Sequence, residues 1–293
     1  LIYKAETDED TGDATFTLNN ECAMRDAALL IVDEVSMVDG ELAKDLLSFD
    51  VPILVLGDPA QLPPVKGEGF FINSAPDVML TEVHRQAREN PIIRMSMDIR
   101  EGRRLDRGRF GDSQVINRTD VNQDEMRSLV LGADQLLCGL NRTRMAFNRR
   151  IRTLKELAHP TEPWRPTVGD RLICLRNNRE KHLFNGGLWV AREVQDKFGR
   201  YDILGISMDE QRDPVWVNVR DEFFKGTEKD LEWRMRRESD EFTFGWAITC
   251  HKSQGSQWDD VIVFDESGAF REARQNWLYT AVTRAAERVT VVV

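Results

Sequence analysis

Long apolar runs and paired cysteines are both scarce in this 293-residue sequence. No apolar run approaches the roughly 20 residues that a membrane-spanning helix needs, so we expect no membrane contact. The four cysteines lie far apart and form no CxxC pair; they are Cys22, Cys138, Cys174 and Cys250. This spacing argues against a disulfide framework or a zinc site and predicts reduced thiols in a cytoplasmic protein.

The sequence also lacks an overall positive charge, since its formal net charge is −10. An acidic balance argues against a simple basic nucleic-acid binder. The charge is uneven, however, because eight arginines and four acidic residues lie between Arg85 and Arg109, and 142–155 is basic again. Local basic faces of this kind are compatible with phosphate binding, and a solvated helix face explains them equally well.

The composition that remains is that of a globular protein, with 41% hydrophobic and 31% charged residues. The length is sufficient for more than one hydrophobic core. The first residue is leucine rather than methionine, and no signal-peptide pattern follows it. We therefore expect the chain to be a piece of a longer protein whose upstream part is missing.

One short stretch, Leu29–Asp39 (LLIVDEVSMVD), combines an apolar run with two acidic residues. Leu29–Val32 fits a strand buried on both faces, as in a parallel sheet. Asp33 and Glu34 follow at its carboxyl end, where open α/β sheets bind ligands. Carboxylates there can hold Mg²⁺ through its water shell and position an attacking water. A buried strand followed by an acidic turn is the structural alternative, and this stretch alone does not choose between them.

The first half of the chain alternates short apolar runs with helical patterns. Two β-prone runs around a polar turn predict a hairpin over about 3–18. A second buried strand, Val51–Leu56, runs into a rigid loop at Gly57–Val65. Further strands are predicted at Val78–Arg85 and Ala133–Leu140, a loop at 102–125, and helices at Asp39–Phe49, Pro91–Glu101 and Asn141–Leu157.

The pattern changes after Pro160, where short β-like runs separated by turn residues predict a small β-barrel. These runs are Asp170–Arg176, Gly187–Gln195, Arg200–Ile206 and Pro214–Val219. A charged segment, Glu228–Asp240, is typical of a short exposed helix or a linker. A strand at Val261–Phe264, a helix at Arg271–Ala286 and a closing strand then follow. We therefore expect an α/β unit that is split by a β insert.

Five motifs stand in order along the chain: LLIVDEVSMVD (29–39), VLGDPAQLPPV (55–65), LTEVHRQ (80–86), AITCHKSQGSQWDDVIV (247–263) and WLYTAVTRAAERVTVV (277–292). Together they resemble a superfamily 1 helicase of the RecD-like or Dda-like branch, over nearly the whole chain. The resemblance implies an α/β fold with two RecA-like P-loop NTPase motor domains, the first incomplete, and an SH3-like β-barrel insert. The implied division is 1–78 for the first motor domain, 79–166 and 227–293 for the second, and 167–226 for the insert.

The resemblance implies a catalytic set around ATP and Mg²⁺. Asp33 would hold Mg²⁺ through water, and Glu34 would orient or activate the water that attacks the γ-phosphate. Gln61 would sense the γ-phosphate or position water. Arg85 and Arg284, the second of them a finger from the second motor domain, would stabilise charge on the γ-oxygens. Loop packing for Gln61 and an ordinary surface position for either arginine are the structural alternatives.

The motif HKSQG and its neighbours imply contacts to the nucleotide and to the DNA backbone. The implied nucleotide contacts are Gly57, Asp58, Gly255 and Gln257. The implied DNA contacts are Thr249, His251, Lys252, Ser253 and Gln254. The family usually has a glutamate that meets the ribose where this chain has Gln257. Base stacking is open to three tryptophans, each with a core position as its alternative: Trp216, Trp233 and Trp246.

The phosphate-binding motif GxxxxGK[ST] is absent from the sequence. The backbone N–H groups and the lysine of that motif cradle the β- and γ-phosphates. We therefore expect a fragment that begins just after this segment and that, by itself, hydrolyses little or no ATP. A natural degenerate protein without ATPase activity is the alternative.

The resemblance implies that the parent protein is an ATP-dependent DNA helicase that translocates 5′ to 3′ on single-stranded DNA and unwinds duplex junctions. It would act in the cytoplasm of a bacterial cell or of a phage-infected host, alone or with other replication or recombination proteins. The hairpin at Tyr3–Leu18 would be the pin that splits the duplex, or only a structural excursion. A motor-dead DNA-binding or scaffolding module is the second hypothesis, and an RNA helicase the third. The host process, whether replication, repair or recombination, is left open.

Overall fold

The computed structural model describes residues 2–7, 14–64, 67–80 and 89–293. The strands in these ranges are β1 (Tyr3–Thr7), β2 (Ala14–Leu18), β3 (Leu30–Val32), β4 (Ile53–Val55), β5 (Gly108–Phe110), β6 (Ser113–Ile116), β7 (Gln135–Cys138), β8 (Arg171–Cys174), β9 (Leu188–Asp196), β10 (Arg200–Ser207), β11 (Val215–Arg220), β12 (Phe242–Phe244), β13 (Ala247–Thr249), β14 (Trp258–Phe264) and β15 (Ala285–Val292). The helices are α1 (Gly40–Leu47), α2 (Pro91–Arg100), α3 (Gln123–Gly132), α4 (Asn141–Leu154), α5 (Asp221–Lys225), α6 (Trp233–Arg237) and α7 (Arg274–Val282). None of these helices is long and apolar enough to span a membrane.

The chain forms two compact units, which are described separately. The first contains the residues up to Asn117 together with Gln254–Asp260 and Asp265–Val293. The second contains Arg118–Ser253 and Val261–Phe264, so strand β14 begins in one unit and ends in the other. The four-part domain division drawn from the sequence remains a prediction.

The first unit opens with the hairpin expected from the sequence, in which β1 and β2 pair antiparallel with Tyr3 opposite Leu18. Strands β3 and β4 then pair in parallel, with Ile31 opposite Leu54. Helix α1 lies between them in sequence and begins where the Asp39 carboxylate accepts a hydrogen bond from the Leu42 amide at 2.9 Å.

The sequence-based expectation that β3 and β4 are buried on both faces is wrong. Leu30 is buried, but Ile31 is 63% exposed and Leu54 is 47% exposed. The physical reason is that one face of this strand pair packs on the apolar cluster that includes Ala43 and Leu46 of α1, whereas Ile31 and Leu54 lie on the opposite face. We call this pair the strand-end sheet.

The rest of the first unit contains α2, α7 and a small sheet. Strand β15 pairs in parallel with β6, and β6 pairs antiparallel with β5. The loop predicted for 102–125 is therefore wrong, since it contains β5, β6 and the start of α3. The strand predicted at Val78–Arg85 is absent from Val78–Leu80, and its remainder lies outside the described residues.

The second unit contains a parallel group in which β7 lies between β13 and β14. Helix α4 packs beside it, and the Asn148 side chain bonds both the carbonyl of Ala247 at 2.8 Å and its amide at 3.1 Å. Both faces of this group are apolar, because Leu136 and Ile262 on one face and Leu137 and Val263 on the other are all buried. The strand predicted at Ala133–Leu140 and the basic helix predicted at Asn141–Leu157 are confirmed within a few residues.

A five-stranded antiparallel sheet forms the rest of the second unit, with strand order β11-β10-β9-β8-β12. We call it the insert sheet. Its four predicted β runs are confirmed, and β12 joins β8 as a fifth strand. An aromatic core that includes Trp189, Tyr201 and Phe242 lies against it. An isolated bridge links Val219, at the end of β11, to Asp240, just before β12.

Candidate functional site

The two predicted carboxylates lie at the end of β3, where the chain turns sharply. Asp33 is exposed, and its Oδ1 accepts a hydrogen bond from the Glu34 amide at 2.7 Å. Glu34 has a positive φ of 52°, which is uncommon for a residue other than glycine and is a feature of functional turns. Its Oε2 atom is buried without a hydrogen-bond partner. The turn therefore offers an acceptor that is free for a ligand or a bound water.

The loop that begins at Gly57 lies against this turn. The Leu56 amide donates to Val32 at 2.8 Å, and the Val35 amide donates to Leu56 at 3.1 Å. A Cβ atom on Gly57 would lie 2.7 Å from Val35 Cγ1, which is closer than real contacts allow, and a tight 3.2 Å from the Val35 nitrogen. Glycine is therefore required here for the loop to approach the carboxylate turn.

Helix α7 holds the same loop through three side chains on one face. Tyr279 donates its hydroxyl to Asp58 at 2.5 Å. The Asn276 amide donates to the carbonyls of Ala60 at 3.1 Å and Gln61 at 3.0 Å. The hydroxyl of Thr280, at the helix position after Tyr279, accepts from the Leu62 amide at 2.8 Å. Burial and the Asp58 carboxylate raise the pKa of Tyr279, so its hydroxyl stays a donor at neutral pH.

Sequence reasoning missed these three α7 residues as parts of the site. Their signal was present in the spacing, since Asn276, Tyr279 and Thr280 follow the i, i+3, i+4 pattern of one helix face. The pattern identifies a face, but not that the face carries the loop after β4. That fact depends on the tertiary structure.

Two glutamines bring further unsatisfied acceptors to the loop. Gln254 donates its amide to the Leu62 carbonyl at 3.0 Å, while its own Oε1 is buried without a partner. The Oε1 atom of Gln61 is likewise buried and unpartnered. Buried polar atoms nearly always have partners in folded proteins. These acceptors, like Glu34, therefore fit a site that is completed by a polar ligand.

The predicted arginine finger, Arg284, follows the end of α7 and is only 8% exposed. Its guanidinium donates to the carbonyls of Thr280 and Ser256, each at 3.2 Å. It makes no ion pair with a carboxylate in the described part of the chain. A buried guanidinium without an anion is costly, and phosphate is an anion that it can bind with two parallel hydrogen bonds. Arg85, the other predicted arginine, lies in 81–88, outside the described residues.

The structure brings the described catalytic candidates into one compact unit, together with the four predicted nucleotide contacts. Asp33, Glu34, Gln61 and Arg284 all belong to the first unit. Of the nucleotide contacts, Gly57 and Asp58 form the loop, Gly255 has a positive φ of 78°, and Gln257 is exposed. The roles of all these residues remain predictions.

Four of the five predicted DNA contacts belong to the second unit and differ in accessibility. Thr249 is buried at the end of β13, and the Ser253 hydroxyl is buried and donates to the Cys250 carbonyl at 2.8 Å. His251 is partly buried, and this burial lowers its pKa. Lys252 is partly buried and donates to the side-chain oxygen of Asn185 at 2.8 Å. The fifth, Gln254, bonds the loop of the first unit.

The three tryptophans considered for base stacking have different environments. Trp216 is 42% exposed on β11. Trp246 is partly buried, with Lys155 and Arg171 over its ring at 4.7 and 4.9 Å and its indole N–H directed to Asp170 at 3.4 Å. Trp233 is partly buried at the start of α6. Trp216 is therefore the member of this set that offers the most open ring.

The oxygen atoms at the end of β3 decide whether the predicted Mg²⁺ fits this site. Within the described ranges, no group of three or more His, Cys, Asp or Glu side chains is arranged to ligate a metal directly. A cation held through its water shell needs only an exposed carboxylate and neighbouring acceptors. Asp33 supplies the first and Glu34 Oε2 the second, so the residues fit a hydrated Mg²⁺.

Two protein-family models match parts of the chain: an AAA domain over residues 4–120 and a UvrD-like helicase C-terminal domain over residues 244–292. The ATP-dependent RecD2 DNA helicase of Deinococcus radiodurans is 29% identical over 281 residues, which cover 89% of this chain and 35% of that protein. The ATP-dependent DNA helicase Pif1 of Bdellovibrio bacteriovorus is 23% identical over 268 residues, which cover 79% of this chain and 59% of that protein. The chain thus spans less than two thirds of either relative.

Solved Pif1 structures share the fold. Pif1 helicase from Candida albicans superposes with a TM-score of 0.55 at 19% identity, over 92% of this chain and 72% of that chain. Pif1 helicase from Bacteroides, in complex with ADP-AlF3 and ssDNA, gives a TM-score of 0.55 at 17% identity, over 96% of this chain and 75% of that chain. These matches confirm the predicted α/β fold, which resembles the Pif1 helicase motor domains.

Proposed function

The chain is a relative of the RecD/Pif1-like helicases of superfamily 1, and on this premise we propose that the protein is an ATP-dependent DNA helicase with its hydrolytic site at Asp33 and Glu34. The observation that carries the proposal is a set of buried polar groups in the described part of the first unit: two oxygens without a hydrogen-bond partner and a guanidinium without an ion pair. These are the Glu34 and Gln61 oxygens and the Arg284 guanidinium, which makes no ion pair within the described residues. Such a set suits an anionic ligand with an attacking water.

The family resemblance suggests a role for each residue in phosphoryl transfer, and the position of each is compatible with that role. Bound Mg²⁺ would neutralise charge on the β- and γ-phosphate oxygens. Asp33 would hold the water shell of the cation, and Glu34 would accept a hydrogen bond from the attacking water through its free Oε2. Gln61 accepts a second hydrogen bond from that water, and Arg284 donates to the γ-oxygens as charge develops on them.

The proposed link between hydrolysis and movement is the loop at Gly57–Leu62. Three α7 side chains hold this loop, and Arg284 follows the same helix. A shift of α7 that brings Arg284 onto the γ-phosphate would therefore move Gln61 as well. Coupled displacement of this kind is how a nucleotide state can drive stepping along a strand. We infer 5′ to 3′ translocation from the branch that the motifs resemble.

ATP turnover tests the hydrolytic site. The 293-residue chain, whose sequence contains no GxxxxGK[ST], should hydrolyse little or no ATP. In a longer form that supplies this motif, Glu34→Gln should abolish DNA-stimulated turnover and leave DNA binding intact. Glu41→Gln, at an exposed position on α1, is the matched control and should keep normal turnover.

Three results would count against the proposal. Helicase-like, DNA-stimulated turnover by the 293-residue chain would contradict its predicted inactivity. Normal turnover in Glu34→Gln would remove the catalytic assignment. Single-stranded DNA binding that shows no response to nucleotide in the longer form would favour the motor-dead module.

Binding and polarity assays test the DNA assignment. Lys252→Ala should weaken single-stranded DNA binding and reduce its salt dependence by about one counterion, whereas exposed Lys229→Ala should not. A block bound at the 3′ end of a single-stranded oligonucleotide should be displaced, whereas the same block at the 5′ end should stay, because movement is expected towards the 3′ end. Stronger stimulation by RNA than by DNA would favour an RNA helicase. A cytoplasmic location completes the proposal and agrees with four buried cysteines that form no disulfide in the described chain.

We also propose that the insert sheet is an SH3-like barrel and that the hairpin of β1 and β2 is a duplex-splitting pin. The bridge between Val219 and Asp240 brings the edge strand β11 to the residues just before β12, the other edge strand, and this supports closure of the sheet into a barrel.

The hairpin is anchored at its base, because the Tyr3 hydroxyl donates a hydrogen bond to Asp45 of α1 at 2.5 Å. In the longer form, replacing the DEDTGD sequence by a two-residue turn should retain DNA-stimulated ATPase activity and abolish duplex unwinding. Equal loss of both would indicate a structural role.

A further inference from the structure

The segment between β8 and β9, Leu175–Gly187, reaches the lysine of the HKSQG motif. Lys252 donates to the side-chain oxygen of Asn185 at 2.8 Å. A lysine only donates, so the amide oxygen must face it, and the two N–H donors of the Asn185 amide remain for another acceptor. We call this segment the β8–β9 loop.

Charges of both signs act on Lys252, a positive one from Arg144 and a negative one from Glu241. No ion pair to Lys252 or to neighbouring Arg144 is found in the part of the chain that the structure describes. Burial is the largest cause that lowers the pKa of each of these side chains; Arg144 lowers the pKa of Lys252 further, and Glu241 raises it. Two partly desolvated cations that make no ion pair with the described residues favour an incoming anion.

Two buried carboxylates anchor the β8–β9 loop. Asp240 is 6% exposed and accepts hydrogen bonds from Lys181 at 2.6 Å and Asn178 at 3.0 Å. Glu241 is 3% exposed, pairs with Arg176 at 3.0 Å, and is also bound by both nitrogens of one edge of Arg236, at 2.9 and 2.8 Å. Three residues of the loop are thus tied to carboxylates in the segment before β12. Charge-assisted bonds to buried groups are strong and geometrically specific.

The last part of the loop fixes Asn185 itself. Asn178 and Leu183 exchange backbone hydrogen bonds at 2.9 and 2.8 Å, and the Leu183 side chain is buried. The backbone N–H of Asn185 donates to the side-chain oxygen of Asn177 at 2.7 Å. Gly186 follows with a φ of 94°, a conformation that favours glycine. The side chain of Asn185 is exposed, although its backbone is held on both sides.

We propose that Asn185 and Lys252 together bind one backbone phosphate of single-stranded DNA, with Asp240 and Glu241 as positioning residues. The inference rests on the proposed DNA-binding function and deepens it. Two N–H donors of Asn185 and the two remaining N–H donors of Lys252 can meet the oxygens of a single phosphate. The β insert thereby contributes directly to the nucleic-acid site instead of serving only as a structural excursion.

The test is a titration of a labelled oligo-dT with the full 293-residue chain at several salt concentrations. Asn185→Ala should weaken binding about 2- to 10-fold without changing the salt slope, because the lost bonds are to a neutral amide. Asn185→Asp should weaken binding more than Asn185→Ala, because a carboxylate repels the phosphate. A purely structural role makes the opposite prediction, since Asp retains the acceptor for Lys252. Gln211→Glu, which adds the same charge at an exposed position in the insert, should leave binding nearly unchanged.

Asp240→Asn tests the positioning role in a way that electrostatics alone cannot mimic. Removing a negative charge should tighten DNA binding if only net charge matters. If Asp240 positions the β8–β9 loop, the variant should instead bind several-fold more weakly, with a circular dichroism spectrum like that of the wild type. Wild-type affinity in both Asn185 variants, with a clear loss in Lys252→Ala, would overturn this inference and leave the DNA-binding function intact. No binding of oligo-dT by the unaltered chain would overturn both.

Discussion

The strand-end sheet and the insert sheet are built from similarly apolar runs, yet they bury them to different extents. Ile31 of β3 is 63% exposed, whereas Ile203 of β10 is fully buried. The difference follows from what packs on each face, since Ile31 lies on the face of β3 opposite the α1 cluster, whereas Ile203 belongs to the hydrophobic core of the insert. An apolar run therefore predicts a strand, but burial depends on what else packs against it.

Both regions of the described chain contain buried polar side chains, some paired and some without partners. In the second unit, Arg152 and Asp170 are both fully buried and bond each other at 2.7 and 2.9 Å. Near the strand-end sheet, Glu34 and Gln61 keep buried oxygens without partners. Paired groups specify a fold, whereas unpaired groups are costly unless a ligand satisfies them. The Arg152–Asp170 pair thus holds the second unit together, whereas the Glu34 and Gln61 oxygens are open to a ligand.

Breaking the Arg152–Asp170 pair should give the largest change in stability. Asp170→Ala leaves a buried guanidinium without its anion, and also removes the acceptor for Thr167 and Trp246. We expect a loss of about 3–5 kcal/mol in the free energy of unfolding. Urea denaturation followed by circular dichroism measures it.

The control for this variant is Arg234→Ala, which removes a solvent-exposed pair with Glu238 on α6. Exposed pairs contribute little, so unfolding should be nearly unchanged. Similar losses for the two variants would show that burial of the Arg152 pair does not distinguish it energetically from a surface pair.

A matched pair of isoleucine substitutions tests the comparison of the two sheets directly. Ile203→Ala should cost about 2–5 kcal/mol, because it creates a cavity in a closed core. Ile31→Ala should change stability by less than about 0.5 kcal/mol, because the side chain is mostly exposed. Equal costs, measured by urea denaturation, would mean that Ile31 is covered in solution.

Most helices and strands could be predicted from the sequence because their signals are local. Pro91 and the Asn90 cap begin α2 at the predicted place, and the turn residues of the insert separate the predicted β runs. Strands β5 and β6 were missed because they have three and four residues in a stretch rich in Gly, Arg and Asp. They exist because β15 pairs with β6, which is a long-range contact.

The site divides in the same way between local and long-range information. Asp33, Glu34 and the glycine-proline loop were identified because motifs are contiguous in sequence. The contacts that Asn276, Tyr279 and Thr280 make with the loop could not be identified from the sequence, because more than 200 positions separate Tyr279 from Asp58. The contact between Asn185 and Lys252 was missed for the same reason.

A smaller effect should follow from removing a hydrogen bond between α7 and the loop at Gly57–Leu62. Thr280→Val leaves the Leu62 amide buried without an acceptor, which costs about 1–3 kcal/mol. Amide hydrogen exchange at Leu62 should become faster, because its protection depends on this bond. Thr280→Ser keeps the hydroxyl and should restore protection. Unchanged exchange in Thr280→Val would show that the loop does not depend on α7.

The smallest effect concerns Cys174, at the end of β8 in the insert sheet. Burial raises the pKa of its thiol to about 11. Because the folded state then retains a proton that the unfolded chain releases above its ordinary pKa of about 8.5, folding stability should decrease as the pH rises from that value to 11. At pH 8 the folded thiol should react with iodoacetamide at least about 100-fold more slowly than in urea, since the thiolate is the nucleophile. Mass spectrometry of the peptide that contains Cys174 measures both rates. Equal rates would mean that the Cys174 thiol is as reactive in the folded chain as in the unfolded chain. The contrast between a closed insert sheet and an exposed strand-end sheet would then be lost.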